Sequence, residues 1–371
     1  MSVYLDHAAS SPMRGDSITV FTELVSLVGN PSSLHRPGQR ARAILEEARE
    51  ELAAAVGAHP TEVVFTSGGS EADSIAVLGG WAKRRDEGRD RCLVSAVEHP
   101  AVLGAVQWGA EIMPVTAEGW VDVAEAAQLI DERVGVVSVM AVNNETGIVQ
   151  PVDDIRGPAT KVGAWLHVDA VQSLGHLPVD FAASGAHLMS LSAHKIGGPV
   201  GVGALLVRRD VVPRAIGLGG GQEREVRSGT VPVILAAAFA RAASTAVASL
   251  QEEAERLRSF SRRIAAAAVD AGGRLNSRHD GAPHIVNVTF DGIRADDLLF
   301  LLDQRGVHAS VGSACKAGVH QPSDVLLAMG RTPDEATQSL RFSVGWSTTD
   351  ADIDVVCRVL PEALQQARAA F

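Results

Sequence analysis

Between residues 62 and 207, short apolar runs alternate with segments of helical period, and no other feature restricts the possible folds as much. The runs at 62–66, 92–95, 134–142, 165–169, 187–190 and 203–207 are near-continuously apolar, the pattern of strands buried on both faces. Helices are expected between them at 70–83, 100–110 and 152–162. Another is expected from about Pro37, where Ala41, Ile44, Leu45, Ala48, Leu52 and Val56 share one face. Strand and helix in regular turn imply a mainly parallel, doubly wound α/β sheet. Such sheets bind ligands beyond the carboxyl ends of their strands, so the chemistry should collect there.

Beyond residue 207 the pattern changes. An alanine-rich helix is expected over 231–271, closed by Gly272-Gly273. A smaller α+β unit follows, with strands at 284–290, near 307 and at 340–344, a helix at 295–304 and a terminal helix from about 350. The expected division is a large domain of residues 15–243 and a small one of residues 1–14 and 244–371, the first strand folding back onto the second unit. At 371 residues the chain is too long for one small core. A formal charge of −11 argues against a general binder of nucleic acid or membrane surfaces. Met1–Asp6 has neither the basic start nor the apolar core of a signal peptide. The apolar run 231–250 is interrupted by Arg241 and reads as a buried helix. Cys92, Cys315 and Cys357 make no disulfide framework and fit a reducing compartment, so a cytoplasmic location is expected.

Several polar groups stand just after the predicted strands. Lys195, in Ser192-Ala-His-Lys195-Ile-Gly-Gly, lies between two apolar runs, where a lysine can lose its proton and act as an amine toward a carbonyl cofactor. Alone it could simply close a turn. Thr66-Ser-Gly-Gly-Ser70-Glu follows a strand and opens a helix, which suits a phosphate on the free N–H groups around Gly69 and on the Ser70 hydroxyl. His99, in Glu98-His-Pro100, could stack on a flat ring and exchange protons, or cap the next helix. Asn144 belongs to a polar cluster after the most apolar strand. Asp169 ends the strand containing His167, near the sheet interior, where an unpaired carboxylate is costly and a protonated pyridine nitrogen would be an adequate partner. Gln172, about one turn on, could reach the same ring. A metal site at His167-x-Asp169 lacks a convincing third ligand, so no metal is expected.

Together these groups match the needs of pyridoxal 5′-phosphate: an amine for the aldehyde, an acid for the ring nitrogen and a turn for the phosphate. Ser192 and His194 are natural further phosphate donors, and Arg227-Ser-Gly-Thr230 is a polar turn at a helix start. Cys92 and Cys357 read as core residues. Cys315, in a loop of Gly, Ser and Ala beside Lys316, has instead the setting of a reactive thiolate. Arg341 alternates with Leu340 and Phe342 on a strand; turned inward, its guanidinium would suit a substrate carboxylate.

These residues carry a resemblance. Tyr4-Leu-Asp-His-Ala-Ala9, Gly29-Asn-Pro-Ser-Ser33, Phe65-Thr-Ser-Gly-Gly-Ser-Glu71, Val97-Glu-His99, Val142-Asn-Asn-Glu-Thr-Gly147, His167-Val-Asp-Ala170, His194-Lys195, Arg227-Ser-Gly-Thr230, Gly312-Ser-Ala-Cys315 and Leu340-Arg-Phe-Ser343 run nearly end to end. The chain resembles the NifS/IscS-type cysteine desulfurases of the class V aminotransferase family. The resemblance implies the fold type I architecture of pyridoxal-phosphate enzymes, a large domain with a mainly parallel seven-stranded sheet and a smaller α+β domain. It implies removal of sulfur from L-cysteine, leaving L-alanine. Carried over by motif, Lys195 holds the cofactor covalently and Asp169 pairs with its ring nitrogen. Gln172 meets the ring hydroxyl, and Gly69, Ser70, Ser192 and His194 hold the phosphate. Thr230 reaches that phosphate from the second subunit of a homodimer. His99 stacks on the ring and moves protons, Asn144 and Arg341 bind the substrate carboxylate, and Cys315 carries away a persulfide.

The sulfur would pass to an acceptor protein, such as an iron–sulfur scaffold, a tRNA-thiolation enzyme or a DNA-phosphorothioation protein. Three departures stand out. Ser70 replaces the threonine common in the family, and Lys316-Ala-Gly-Val-His-Gln321 replaces a usually Ser-rich, more acidic run. The chain also ends at Phe371 without the longer tail that some members use to dock an iron–sulfur scaffold. The long loop around Cys315 favours the NifS/IscS class over the class with a short cysteine loop. Another fold type I enzyme (a selenocysteine lyase, β-lyase or aminotransferase) would share the cofactor residues without needing Cys315. A non-catalytic sulfur carrier or scaffold on the same fold would need no bound cofactor.

Overall fold

A computed structural model describes residues 2–278, 280–312 and 321–370. Twelve strands occur among the described residues: β1 (Val3–Tyr4), β2 (Val63–Thr66), β3 (Arg91–Ser95), β4 (Glu111–Met113), β5 (Val134–Ser138), β6 (Trp165–Asp169), β7 (Leu188–Ser192), β8 (Gly203–Val207), β9 (Arg274–Leu275), β10 (Ile285–Thr289), β11 (Val307–His308) and β12 (Ser339–Ser343). Seven of them form one sheet in the order β2-β8-β7-β6-β5-β3-β4, in which only β8 runs antiparallel to its neighbours. This is the mainly parallel seven-stranded sheet of the expected fold type I class.

Side-chain alternation along each strand sorts the sheet into two faces. Phe65, Leu166, Val168, Met189, Leu191 and Leu206 face the helices Arg36–Ala55, Val152–Val162 and Val233–Ala248. Val64, Val94, Val136, Leu188 and Leu205 face the opposite way, against the helical run from Gly69 to Arg85 and the helix Pro100–Leu103. On that second face the same alternation ends four of the strands, β2, β5, β6 and β7, in a polar side chain: Thr66, Ser138, Asp169 and Ser192. Register brings these ends together, pairing Gly203 with both Thr66 and Ser192, and Asp169 with Ser190.

A second apolar core is built from β10, β12, the helix Leu250–Asp270, the helix Ala295–Asp303 and the terminal helix Asp350–Ala370. The first strand belongs to it: β1 pairs in parallel with β11, Val3 opposite Val307, and Val3 and Leu5 are fully buried there.

Some elements differ from expectation. The helix expected over 231–271 is two helices, Val233–Ala248 and Leu250–Asp270, bent by 74° around Ser249. The single Ser249 hydroxyl proton has two acceptors in reach, the Thr245 carbonyl one turn back at 3.0 Å and Glu253 Oε1 at 2.8 Å, side-chain contacts that compete with the helix ladder at the bend. The strand expected over 134–142 stops at Ser138, and the helix expected over 100–110 passes into a 3₁₀ segment at Gly104–Trp108. The edge strand β4 carried no recognisable period because it is three residues long. No single helix among the described residues is long and apolar enough to cross a membrane.

Candidate active site

The polar strand ends border a cavity of about 390 Å³, within the size range of small-molecule sites. Of the residues singled out from sequence, Gly69, Ser70, His99, Asn144, Asp169, Gln172, Ser192, His194, Lys195 and Arg341 line it. Thr230 does not; it is exposed, away from this cavity. Cys315 lies outside the described residues.

Lys195 closes a short 3₁₀ turn directly after β7, so its side chain points back over the sheet end. Its Nζ donates to the Ala8 carbonyl at 2.6 Å and the Ala9 carbonyl at 2.9 Å. Burial, reinforced by the Arg341 guanidinium, brings its pKa down to about 8, with Asp169 and Asp6 pulling the other way. A lysine in that range is a competent amine near neutral pH.

Asp169 is only 5 % exposed, and its Oδ1 accepts from the Val171 N–H at 2.9 Å. Burial raises its pKa, against the pull of that hydrogen bond, His99 and Lys195. Of the two roles considered for His99, the structure shows the helix cap, and it also sets the residue on the cavity. Its Nδ1 accepts from the Ala101 N–H at 3.1 Å, capping the helix Pro100–Leu103, while the ring lines the cavity. With Nδ1 occupied as an acceptor, the neutral ring carries its proton on Nε2. Burial lowers the His99 pKa, Asp169 opposes that shift, and Lys195 adds to it. Gln172 donates to the Ala8 carbonyl at 2.8 Å and faces His284 Nε2 at 3.2 Å. His167 is held between the Ser138 and Ser190 hydroxyls, each 2.9 Å away.

The phosphate turn is compact. A Cβ on Gly203 would stand 2.7 Å from the Gly68 carbonyl carbon, so the strand beside the turn must carry glycine there. Glu71 accepts from the Ser67 N–H and from Arg227 Nε, tying the turn to the segment before Thr230.

Sequence reasoning missed several contributors. Asp73 and Glu98 are buried, and burial first, then the charge of Asp169, pushes both carboxyls well up. Asp73 could have been found as an acid among the apolar residues of its helix. Asp6, which pairs with Arg341 at 2.7 Å, was part of a matching motif without an assigned role. The Ala8 and Ala9 carbonyls offered no side-chain signal at all.

The class-V aminotransferase family model matches residues 3–356. That match decides the family. This chain belongs to the class-V aminotransferase family. It is 45 % identical to an IscS-like cysteine desulfurase of Mycobacterium tuberculosis, covering 99 % of this chain and 97 % of that one. It is 38 % identical to a cysteine desulfurase of a Frankia species, covering 99 % and 92 %. Among solved structures, a NifS-like protein superposes with a TM-score of 0.92 at 31 % identity, over 99 % of this chain and all of that one.

Members of this family use pyridoxal 5′-phosphate, and the residues present fit it. Among the described residues the buried Ser192 hydroxyl has no hydrogen-bond partner, at the rim of the turn that holds Gly69. Asp169 is a buried carboxyl short of a cation, which a protonated ring nitrogen supplies. Lys195 is an amine of lowered basicity on the same cavity. A phosphate acceptor, a ring cation and an aldehyde thus each have a matching protein group.

Proposed function

We infer that this chain is a pyridoxal-phosphate-dependent cysteine desulfurase, converting L-cysteine to L-alanine and leaving a persulfide on Cys315. The observation that carries the reading is the meeting of Lys195, Asp169, His99, Gly69 and Ser70 on one cavity that also holds Arg341. When bound, the cofactor supplies an electron sink that labilises bonds at the carbons of an attached amino acid.

The protein's own groups do the rest. Ser70, Ser192, His194 and the backbone around Gly69 hold the phosphate. Asp169 keeps a proton on the ring nitrogen, and Gln172 serves the ring hydroxyl. Lys195 provides the amine for covalent attachment. His99 would stand against the cofactor ring and carries a transferable proton on Nε2. Arg341 and Asn144 receive the α-carboxylate. The Cys315 sulfur bonds to the substrate sulfur as the carbon–sulfur bond breaks and the carbon takes up a proton. The balance is thiol plus L-cysteine giving persulfide plus L-alanine, with no external oxidant.

The persulfide then passes to a protein acceptor, an iron–sulfur scaffold or a thiolation enzyme. The working unit is a homodimer in the cytoplasm, with Thr230 serving the partner's phosphate. Exposure of Leu34, Val28, Val200 and Leu218 supports the dimer, since these are the most exposed of the large apolar side chains that one chain leaves to water. The three-cysteine composition supports the compartment.

An assay of alanine and sulfide from L-cysteine in the presence of a thiol reductant tests the activity. Cys315→Ser and Lys195→Ala are both expected to lose sulfide release, by at least about a hundredfold. Only Lys195→Ala should also lose the covalently attached cofactor. Parent-like sulfide release by Cys315→Ser would falsify the persulfide step and point to a lyase.

A further inference from the structure

Arg341 stands on β12 with 4 % of its side chain exposed, and a guanidinium that deep needs a counter-charge. Asp6 supplies it. Arg341 Nη2 donates to Asp6 Oδ1 at 2.7 Å, while Nη1 donates to the Asn144 carbonyl at 2.8 Å. Among the described residues these bonds leave Nε–H, which is buried without a partner there, and the second N–H of each terminal nitrogen.

Asp6 is itself firmly placed. It bridges to Ser343, next but one to Arg341 along β12. Its carbonyl accepts from the Tyr4 hydroxyl at 3.1 Å and from the Ala9 and Ser10 N–H groups at 3.0 and 3.2 Å. The backbone of Arg341 is fixed as well, exchanging hydrogen bonds with Ser310 at 2.7 and 3.1 Å. Arg341 lines the cavity, whereas Asp6 is not among the lining residues. Asp6 therefore meets the guanidinium away from the space that a substrate would occupy.

The geometry points to Asp6 as the positioning residue for substrate carboxylate recognition. It holds one edge of the Arg341 guanidinium so that the remaining N–H groups are offered in a single orientation. A two-pronged hydrogen bond to a carboxylate depends on that orientation, because both N–H groups must be aligned at once. Asp6 also balances charge: Arg341 disfavours the Lys195 ammonium, and Asp6 offsets part of that effect. The inference rests on the reading that Arg341 receives the α-carboxylate of L-cysteine, so its test must separate the two.

The test compares the parent holoenzyme with Asp6→Asn, Asp6→Glu and Arg341→Lys, each with its cofactor band verified. The readouts are kcat and KM for L-cysteine and the inhibition constant of cysteamine, which lacks the carboxylate. Asp6→Asn should raise KM roughly tenfold, the effect of losing one charge-assisted contact to the guanidinium. Its kcat should stay within about threefold of the parent, and cysteamine inhibition should be unchanged. Asp6→Glu should fall between the two, and it carries the test alone if Asp6→Asn fails to load cofactor. Arg341→Lys should show the same carboxylate-selective loss. A parent-like KM in Asp6→Asn beside a raised KM in Arg341→Lys overturns the role of Asp6 and leaves the Arg341 reading standing. Equal loss of L-cysteine and cysteamine affinity in Asp6→Asn overturns it too. An unchanged KM in Arg341→Lys removes the carboxylate reading itself, and the proposal falls with it.

Discussion

At the residue scale, Lys195 shows how position changes chemistry. Its ammonium is anchored to two backbone carbonyls, which solvate the charge without adding a formal negative one. Burial and Arg341 therefore prevail over Asp169 and Asp6, and the pKa falls to about 8. The free amine is the reactive form, so its fraction grows as pH rises through that value. Reconstitution of the cofactor-free protein with pyridoxal 5′-phosphate should accelerate with pH and level off above a midpoint near 8, followed by absorbance. A midpoint near the ordinary lysine value of about 10.4 would show that burial does not act on this amine. Lys195, Asp169 and His99 were legible in the sequence because each is a reactive side chain placed right after an apolar run. Asp73 and Glu98 were not, since a carboxyl in a helix or before a histidine is ordinary until its burial is known.

At the element scale, β2 is an edge of the sheet, and an edge leaves backbone groups unpaired. Here an ion pair stands in for the missing strand. Arg49 Nη1 donates to the Val63 carbonyl at 2.5 Å, and Glu223 Oε2 accepts from the Phe65 N–H at 2.7 Å. The two side chains meet in a bidentate pair at 2.7 and 3.0 Å. The same contact pins Glu223, Arg224 and Glu225, whose φ angles of 45°, 61° and 62° cost roughly 1 kcal/mol each in a non-glycine residue. Because β2 leads straight into the phosphate turn, this clamp supports the site from behind. Glu223→Ala should destabilise the protein by about 3 kcal/mol, as expected when one partner of a buried pair is removed. Arg49→Met combined with Glu223→Leu should recover part of that loss, read as the shift in urea midpoint. A Glu223→Ala protein as stable as the parent would remove the clamp from the account. The break at Ser249 belongs to the same scale: an alanine-rich run gave no warning of it, because the deciding bond joins Ser249 to Glu253, which Arg14 in turn holds through a bidentate contact.

At the scale of the whole molecule, the segment 6–14 ties the two apolar cores to each other. Its Ser11 and Arg14 N–H groups donate to the His194 and Gly197 carbonyls, each at 2.8 Å, on the sheet side. On the other side the His7 N–H donates to the Ser343 carbonyl, and Trp346 Nε1 donates to the Pro12 carbonyl at 2.9 Å. A single copy still leaves Thr230 outside its own cavity and large apolar side chains exposed. Light scattering should therefore give twice the 38.8 kDa chain mass, and Leu34→Glu with Leu218→Glu should lower it. A parent that runs as a single chain at micromolar concentration would overturn the dimer. By itself the sequence determined the sheet class and most of the reactive side chains, because hydrophobic period and side-chain chemistry are local properties of a chain. Only the tertiary structure decided that Asp6 pairs with Arg341, that Ala8 and Ala9 receive Lys195, and that Glu223 caps a strand begun 160 residues earlier. Those contacts join groups far apart in the chain, and no period or spacing encodes which distant partner will satisfy a buried charge.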